Sequence, residues 1–344
     1  MEVEDHKAGG AEKQLTDPPM DYSKEDHPIL TKSGEGADLQ IRKYKVVDEL
    51  HRGRFSTVGR CVRADDHRIF AAKVLITENR KEEVKLELDM LRSLRHQRLG
   101  LLHEAYQLGE CVVLIQELLS GSDILEYLSQ RNEYSEQIVA VLITQMLDGL
   151  GYLQWKGICH LDLQPSNLVL TSTRFPSLKI VDFGSARKVE AAGTDVPVNG
   201  LTDYIAPEVL FDGKAYPNSD IWSLGVIIYV LLAGVSPFTG DTEEDLMANI
   251  QCVRYRFEWL PVTTTQEANR FLMLIFKRDP SKRPTVTECL EHRWLNETEF
   301  MVKKRERAPI ISNKIRDYSQ HYHKEQRRVV TNNKLLLSYA GLKQ

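Results

Sequence analysis

At 344 residues, with 42% hydrophobic and 27% charged side chains, the chain has the make-up of a soluble globular protein with room for one large or two modest domains. A formal net charge of −4 gives no global reason to expect nucleic acid or an anionic membrane as the main partner. Five scattered cysteines (Cys61, Cys111, Cys159, Cys252, Cys289), never in Cys-x-x-Cys spacing, argue for a reducing compartment and against a disulfide framework or a zinc site.

The N-terminus carries acids where a secretory signal needs basic and then apolar residues, so a cytoplasmic protein is expected. Residues 1–40 hold little apolar surface to offset chain entropy and are expected to form a disordered acidic arm. From Tyr44 the pattern changes. Tyr44–Leu50, Thr57–Val62 and Ile69–Leu75 read as three strands separated by polar turns. Val84, Leu88, Leu91 and Leu94 then recur at helical spacing over Lys81–Leu94. Two more strands are expected near Leu101–Gln107 and Cys111–Glu117. Ser120 and Gly121 break the pattern, and from Ile124 helices dominate: Ile124–Arg131, Ser135–Trp155, Ser219–Ala233, Glu243–Gln251, Thr264–Phe276 and Val286–Glu291. The longest apolar run, Ile221–Val235, is shorter than the roughly 20 residues a membrane span needs and reads as a buried helix. Strands first and helices after predict a two-lobed α+β architecture.

Phosphoryl transfer asks a protein to position two substrates and to neutralise developing charge. The groups it needs occur in order. Lys73 lies on the third strand, and Glu87 on the next helix can pair with it. Asp162 and Asn167, in His160-Leu-Asp162-Leu-Gln-Pro-Ser-Asn167, supply a base and a metal ligand. Asp182, in Asp182-Phe-Gly184, supplies a second metal ligand, and Ala206-Pro-Glu208 follows. Taken singly, each is open to a plainer reading: a solvated strand lysine, a helix-surface glutamate, a turn aspartate, a loop asparagine. The ordered set resembles the eukaryotic protein kinases, from about Tyr44 to Leu295. The branch it resembles is the myosin-light-chain-kinase and titin group, with the titin, twitchin, obscurin and Trio-type kinases.

That resemblance implies a bilobal protein-kinase fold, α+β, with a five-stranded N-lobe sheet and one helix, a helical C-lobe and a C-terminal regulatory tail. It implies boundaries of 41–119 for the N-lobe, 120–297 for the C-lobe and 298–344 for the tail. ATP and Mg²⁺ are the implied cofactors. Gly53, Val58, Ala71, Lys73, Glu117, Leu119, Asp123 and Val169 would surround the nucleotide, with Asn167 and Asp182 on the metal. Asp123 stands where the family has a ribose-binding acid, and Gln116 takes the gatekeeper position. Asp220, in Asp220-Ile-Trp222, is expected to anchor the catalytic loop, and Arg283 to pair with Glu208.

The chain also departs from the family pattern. Of the three phosphate-loop glycines only Gly53 remains, with His51 and Ser56 in the other places. Gln164 replaces the lysine that carries charge to the transferring phosphate. Leu201 replaces the threonine that bridges it to the base, unless a one-residue slip lets Thr202 serve. Leu161 replaces the arginine that docks a phosphorylated activation loop.

After Trp294 the chain turns basic. Ile310, Ile311, Ile315, Tyr318 and Tyr322 are expected on one amphipathic helix. It reads either as a solvated linker with a docked helix, as an autoinhibitory or partner-docking segment, or as a calmodulin target. Two functions follow. One is a pseudokinase-type scaffold in a cytoskeletal or sarcomeric protein, binding protein partners. The other is an active serine/threonine kinase autoinhibited by its own C-terminal tail.

Overall fold

A computed structural model describes residues 30–31, 43–52, 56–172, 177–198 and 203–329. The expected disordered arm lies outside these residues except for Leu30–Thr31, and Gly53, Leu201 and Thr202 also lie outside them.

The strand-rich part forms one sheet from β1 (Leu30–Thr31), β2 (Tyr44–Arg52), β3 (Ser56–Arg63), β4 (Ile69–Ile76), β5 (Leu102–Leu108) and β6 (Cys111–Glu117). Its order is β1-β5-β6-β4-β3-β2. β2 to β6 are the expected five antiparallel strands. β1 adds a sixth, short strand parallel to β5, so the 1–40 segment contributes to the fold at Leu30–Thr31.

Two-residue periodicity sorts β4 into two faces. Phe70, Ala72 and Val74 join Tyr44, Cys61, Tyr106, Val113 and Ile115 in one cluster. Leu75 packs on the opposite side against Val84, Leu88 and Leu91 of helix α1 (Lys81–Ser93). Ala71 and Lys73 share that second face, which turns toward the other lobe.

The helical part is built from α2 (Ile124–Ser129), α3 (Glu136–Trp155), α4 (Pro207–Asp212), α5 (Ser219–Ala233), α6 (Glu243–Gln251), α7 (Gln266–Ile275) and α8 (Val286–Glu291). All 15 residues of α5 are buried, as expected of a helix that is apolar on every side. α3 is long and apolar enough to span a bilayer by composition, yet half of its most apolar stretch lies inside the protein. At the lobe boundary the Gly121 N–H donates to the Leu170 carbonyl (3.0 Å), and a Cβ there would strike that carbonyl.

The tail differs from the single helix expected. A helix α9 (Glu299–Glu306) comes first. Ile310 and Ile311 then lie in a strand, Pro309–Ile311, paired antiparallel with Glu133–Ser135. Only Ile310 is inside; Ile311 is 68% exposed. Helix α10 begins at Asn313 and runs to Val329, with Ile315 in the core. It crosses the end of α5 at Gly234, whose φ of 69° and lack of a side chain admit the Lys314–Ile315 backbone.

Candidate active site

The two lobes enclose a cleft of about 980 Å³ lined by Val58, Ala71, Lys73, Gln116, Glu117, Leu119, Asp123, Asp162, Gln164, Asn167, Val169 and Asp182 among others. The structure thus brings together every sequence-predicted site residue that it describes except Glu87. Glu87 lies one layer behind, on α1, and reaches the cleft through Lys73.

On the upper wall the Lys73 ammonium donates to Glu87 Oε1 at 2.7 Å and to Asp182 Oδ1 at 2.9 Å. Burial alone would lower the Lys73 pKa, but the Asp182 and Glu87 carboxylates override it and hold the group above the ordinary lysine range. Asp182 is in turn held low: burial opposes its charge, and the neighbouring ammonium outweighs burial. Its backbone sits at φ 63°, an uncommon region for a non-glycine residue, and its Oδ1 also accepts the Gly184 N–H (3.3 Å).

The lower wall is a loop fixed from beneath. Asp220, in the first turn of α5, accepts the His160 and Leu161 N–H groups at 2.7 and 2.9 Å. Those bonds hold Leu161 at φ 63° and aim the next residue, Asp162, into the cleft. His160 is fully buried. One ring nitrogen lies 3.0 Å from the Val181 carbonyl, and the ring packs edge-on against Phe183. Asp162 accepts from Asn167 Nδ2 (3.0 Å) and from Gln164 Nε2 (2.7 Å). Burial and the charge of Asp182 push its carboxyl up to about 7. Further down, Arg283 grips Glu208 with both terminal nitrogens (2.6 and 2.7 Å), a buried bidentate pair.

The oxygens fit a hard cation. The Asn167 amide nitrogen is committed to Asp162, which leaves its carbonyl oxygen to serve as a ligand, and Asn167 and Asp182 line the same cleft. Two protein ligands suffice for Mg²⁺ held mainly through substrate phosphates and water. At the hinge the Glu117 N–H is taken by the Leu101 carbonyl (3.0 Å). Its carboxylate accepts Lys179 Nζ (2.6 Å) and the Leu101 N–H (2.9 Å), which ties the end of β6 to the C-lobe.

The mouth of the cleft is covered by α10. Tyr318 meets the Tyr204 hydroxyl (2.9 Å). One turn on, the Tyr322 hydroxyl donates to Gln164 Oε1 (2.9 Å) and receives the Ser166 N–H (3.3 Å). Gln326 Nε2 donates to the same Gln164 oxygen (3.0 Å). His323 Nε2 lies 2.6 Å from Asp123 Oδ2. Arg316 bonds the Ser129 and Arg131 carbonyls (3.2 and 3.0 Å), closing the C-terminus of α2. Sequence reasoning placed Ile315, Tyr318 and Tyr322 on one helix face. It missed His323 and Gln326, which are polar and carry no periodic signal, and it missed Lys179.

The protein kinase domain family matches residues 44–295. Death-associated protein kinase 2 of Mus musculus is 33% identical over 288 residues, covering 80% of this chain and 78% of that protein. The striated muscle preferentially expressed protein kinase of Danio rerio is 33% identical over 299 residues, covering 86% of this chain but 10% of that protein. Among solved structures, titin kinase with its flanking domains superposes with a TM-score of 0.78 at 29% identity, covering 91% of this chain and 55% of that one. The autoinhibited serine kinase domain of titin gives 0.72 at 29% identity, covering 87% and 91%. The chain therefore spans about half of the flanked titin structure and a small share of the muscle protein it resembles.

Proposed function

From the premise that this chain belongs to the protein kinase domain family, in its titin- and twitchin-like group, we propose that it is a nucleotide-binding serine/threonine kinase domain closed by its own C-terminal helix and slow in phosphate transfer. One observation carries this reading. An assembled Lys73–Glu87–Asp182 set stands behind a helix bonded to the loop that holds Asp162. In this reading Lys73 contacts the α/β-phosphates of ATP, Asn167 and Asp182 hold Mg²⁺, and Asp162 orients the attacking hydroxyl. Val58, Ala71 and Val169 pack on adenine and Asp123 receives the ribose. The chain divides into an N-lobe (41–119), a C-lobe (120–297) and a docking tail (298–344).

Gln164 supports a second reading, a pseudokinase-type scaffold. An amide brings no charge to the transferring phosphate, and losing one such contact costs on the order of 10²–10³ in rate. Likeness to titin supports a cytoplasmic, sarcomeric setting with protein partners; the obscurin-like reading rests on motif likeness alone. The apolar face of α10 is already turned onto the kinase. A calmodulin-like partner would have to compete for Ile315, Tyr318 and Tyr322.

Phosphate transfer from Mg·ATP to serine peptides, measured in the full chain with Ile315→Glu to release the tail, tests the two readings. The kinase reading expects turnover above the unmodified chain that Asp162→Ala abolishes. Absence of Asp162-dependent turnover in the released chain overturns it in favour of the scaffold.

A further inference from the structure

Resting on that closure, we propose that the clasp between α10 and Asp123 is proton-linked: the tail docks with His323 as an imidazolium, so nucleotide binding at Asp123 releases a proton and tightens as pH rises. The ring's two nitrogens each face an oxygen acceptor. Nε2 is 2.6 Å from Asp123 Oδ2, and Nδ1 is 2.7 Å from the Ser319 carbonyl, with the Ser319 hydroxyl farther off at 3.3 Å. A neutral imidazole has one N–H and one lone pair, so one of these contacts would set lone pair against lone pair. The imidazolium, with two donors, satisfies both. Asp123 cannot turn away to relieve the conflict, because its other oxygen accepts the Leu125 and Glu126 N–H groups (2.9 and 3.0 Å).

The carboxylates around the ring act in the same direction. From α2 it faces the carboxylates of Asp123 and Glu126. On its own helix it meets the edge of Tyr322, with ring centroids 5.5 Å apart, while Arg327 lines the same cleft one turn on as the opposing charge. The hydrogen bond to Asp123 raises the His323 pKa above 6.5; burial opposes it, and the Asp123 charge adds to it.

The sign follows from linkage. Below the free-histidine value the ring is protonated whether docked or free, and docking is at full strength. Between that value and the raised docked value, undocking releases a proton, and docking weakens by at most about tenfold per pH unit. Above the docked value the ring is neutral in both states and the dependence ends. Asp123 is also where the ribose would sit, so weaker docking reads out as tighter nucleotide binding.

The experiment uses the full chain. His323 is titrated by NMR, and affinity for a fluorescent Mg·ADP analogue is measured from pH 6 to 8.5, in the unmodified chain and in His323→Gln and Ile315→Glu. We expect His323 to titrate above 6.5 in the unmodified chain and to return toward 6.5 in Ile315→Glu. We expect affinity to tighten with pH in the unmodified chain and to stay flat in both variants. A ring titrating at or below 6.5, or an equal pH slope in His323→Gln, overturns the proton link while leaving closure intact. Equal affinity of Ile315→Glu and the unmodified chain at pH 6, with His323 of the variant returned toward 6.5, sinks closure instead. Tyr318→Ala, which removes the bond to Tyr204, serves as the release variant if Ile315→Glu does not melt cooperatively.

Discussion

The two walls of the cleft differ in what they bond to. The upper wall is self-contained: Lys73 answers Glu87 and Asp182, all three drawn from the catalytic domain. The lower wall looks outward. Gln164 donates to Asp162 on one side and accepts from Tyr322 and Gln326 of α10 on the other. A glutamine can do both at once, whereas a lysine has donors only. The position proposed to slow phosphate transfer is therefore also a seat for the tail. On the proposed reading, nucleotide capture on the upper wall and phosphate transfer on the lower wall are separated in space, with access to both controlled at the mouth.

The largest effect that would break this contrast lies on the upper wall. Lys73→Met leaves buried Glu87 without its cation and should cost about 3–5 kcal/mol, read as a lower urea midpoint with an unchanged m-value. Adding Glu87→Gln should recover much of the loss. An unchanged midpoint in Lys73→Met would mean that the three charges do not act as a unit.

On the lower wall, Gln164→Lys placed in the Ile315→Glu background should raise Asp162-dependent phosphate transfer by about 10²-fold, since a cation returns to the transferring phosphate. A rate unchanged by the lysine would show that transfer is limited elsewhere, Leu201 being the next candidate. The smallest expected effect is at the mouth. Tyr322→Phe removes one hydroxyl bonded to Gln164 and Ser166. It should loosen α10 by about 0.5–1.5 kcal/mol, seen as a few-fold faster amide exchange over the helix.

Much of this was legible from residue order. Ser219–Ala233, Cys111–Glu117 and Val286–Glu291 have the bounds their patterns predict, because uniform or periodic apolar runs end at clear breaks: Gly234 at φ 69° stops α5, and a Thr285–Glu288 capping box starts α8. The Lys73–Glu87–Asp182 set was readable because its members recur at fixed spacing. The tail was harder. α9 buries only Met301 and Arg305 and has no apolar face to detect. Ile310 took its conformation from a partner strand at Glu133–Ser135, far away in the chain, and distant pairing leaves no local trace. His323 and Gln326 became site residues for the same reason. Their partners, Asp123 and Gln164, are joined to them only by the fold.

Amide exchange of residues 313–329 in the full chain, with and without saturating Mg·ATP, tests most directly whether tail and nucleotide exclude one another. Protection of α10 that falls when nucleotide fills the cleft is the predicted result. Protection that persists while bound nucleotide is demonstrated in the same sample would contradict it.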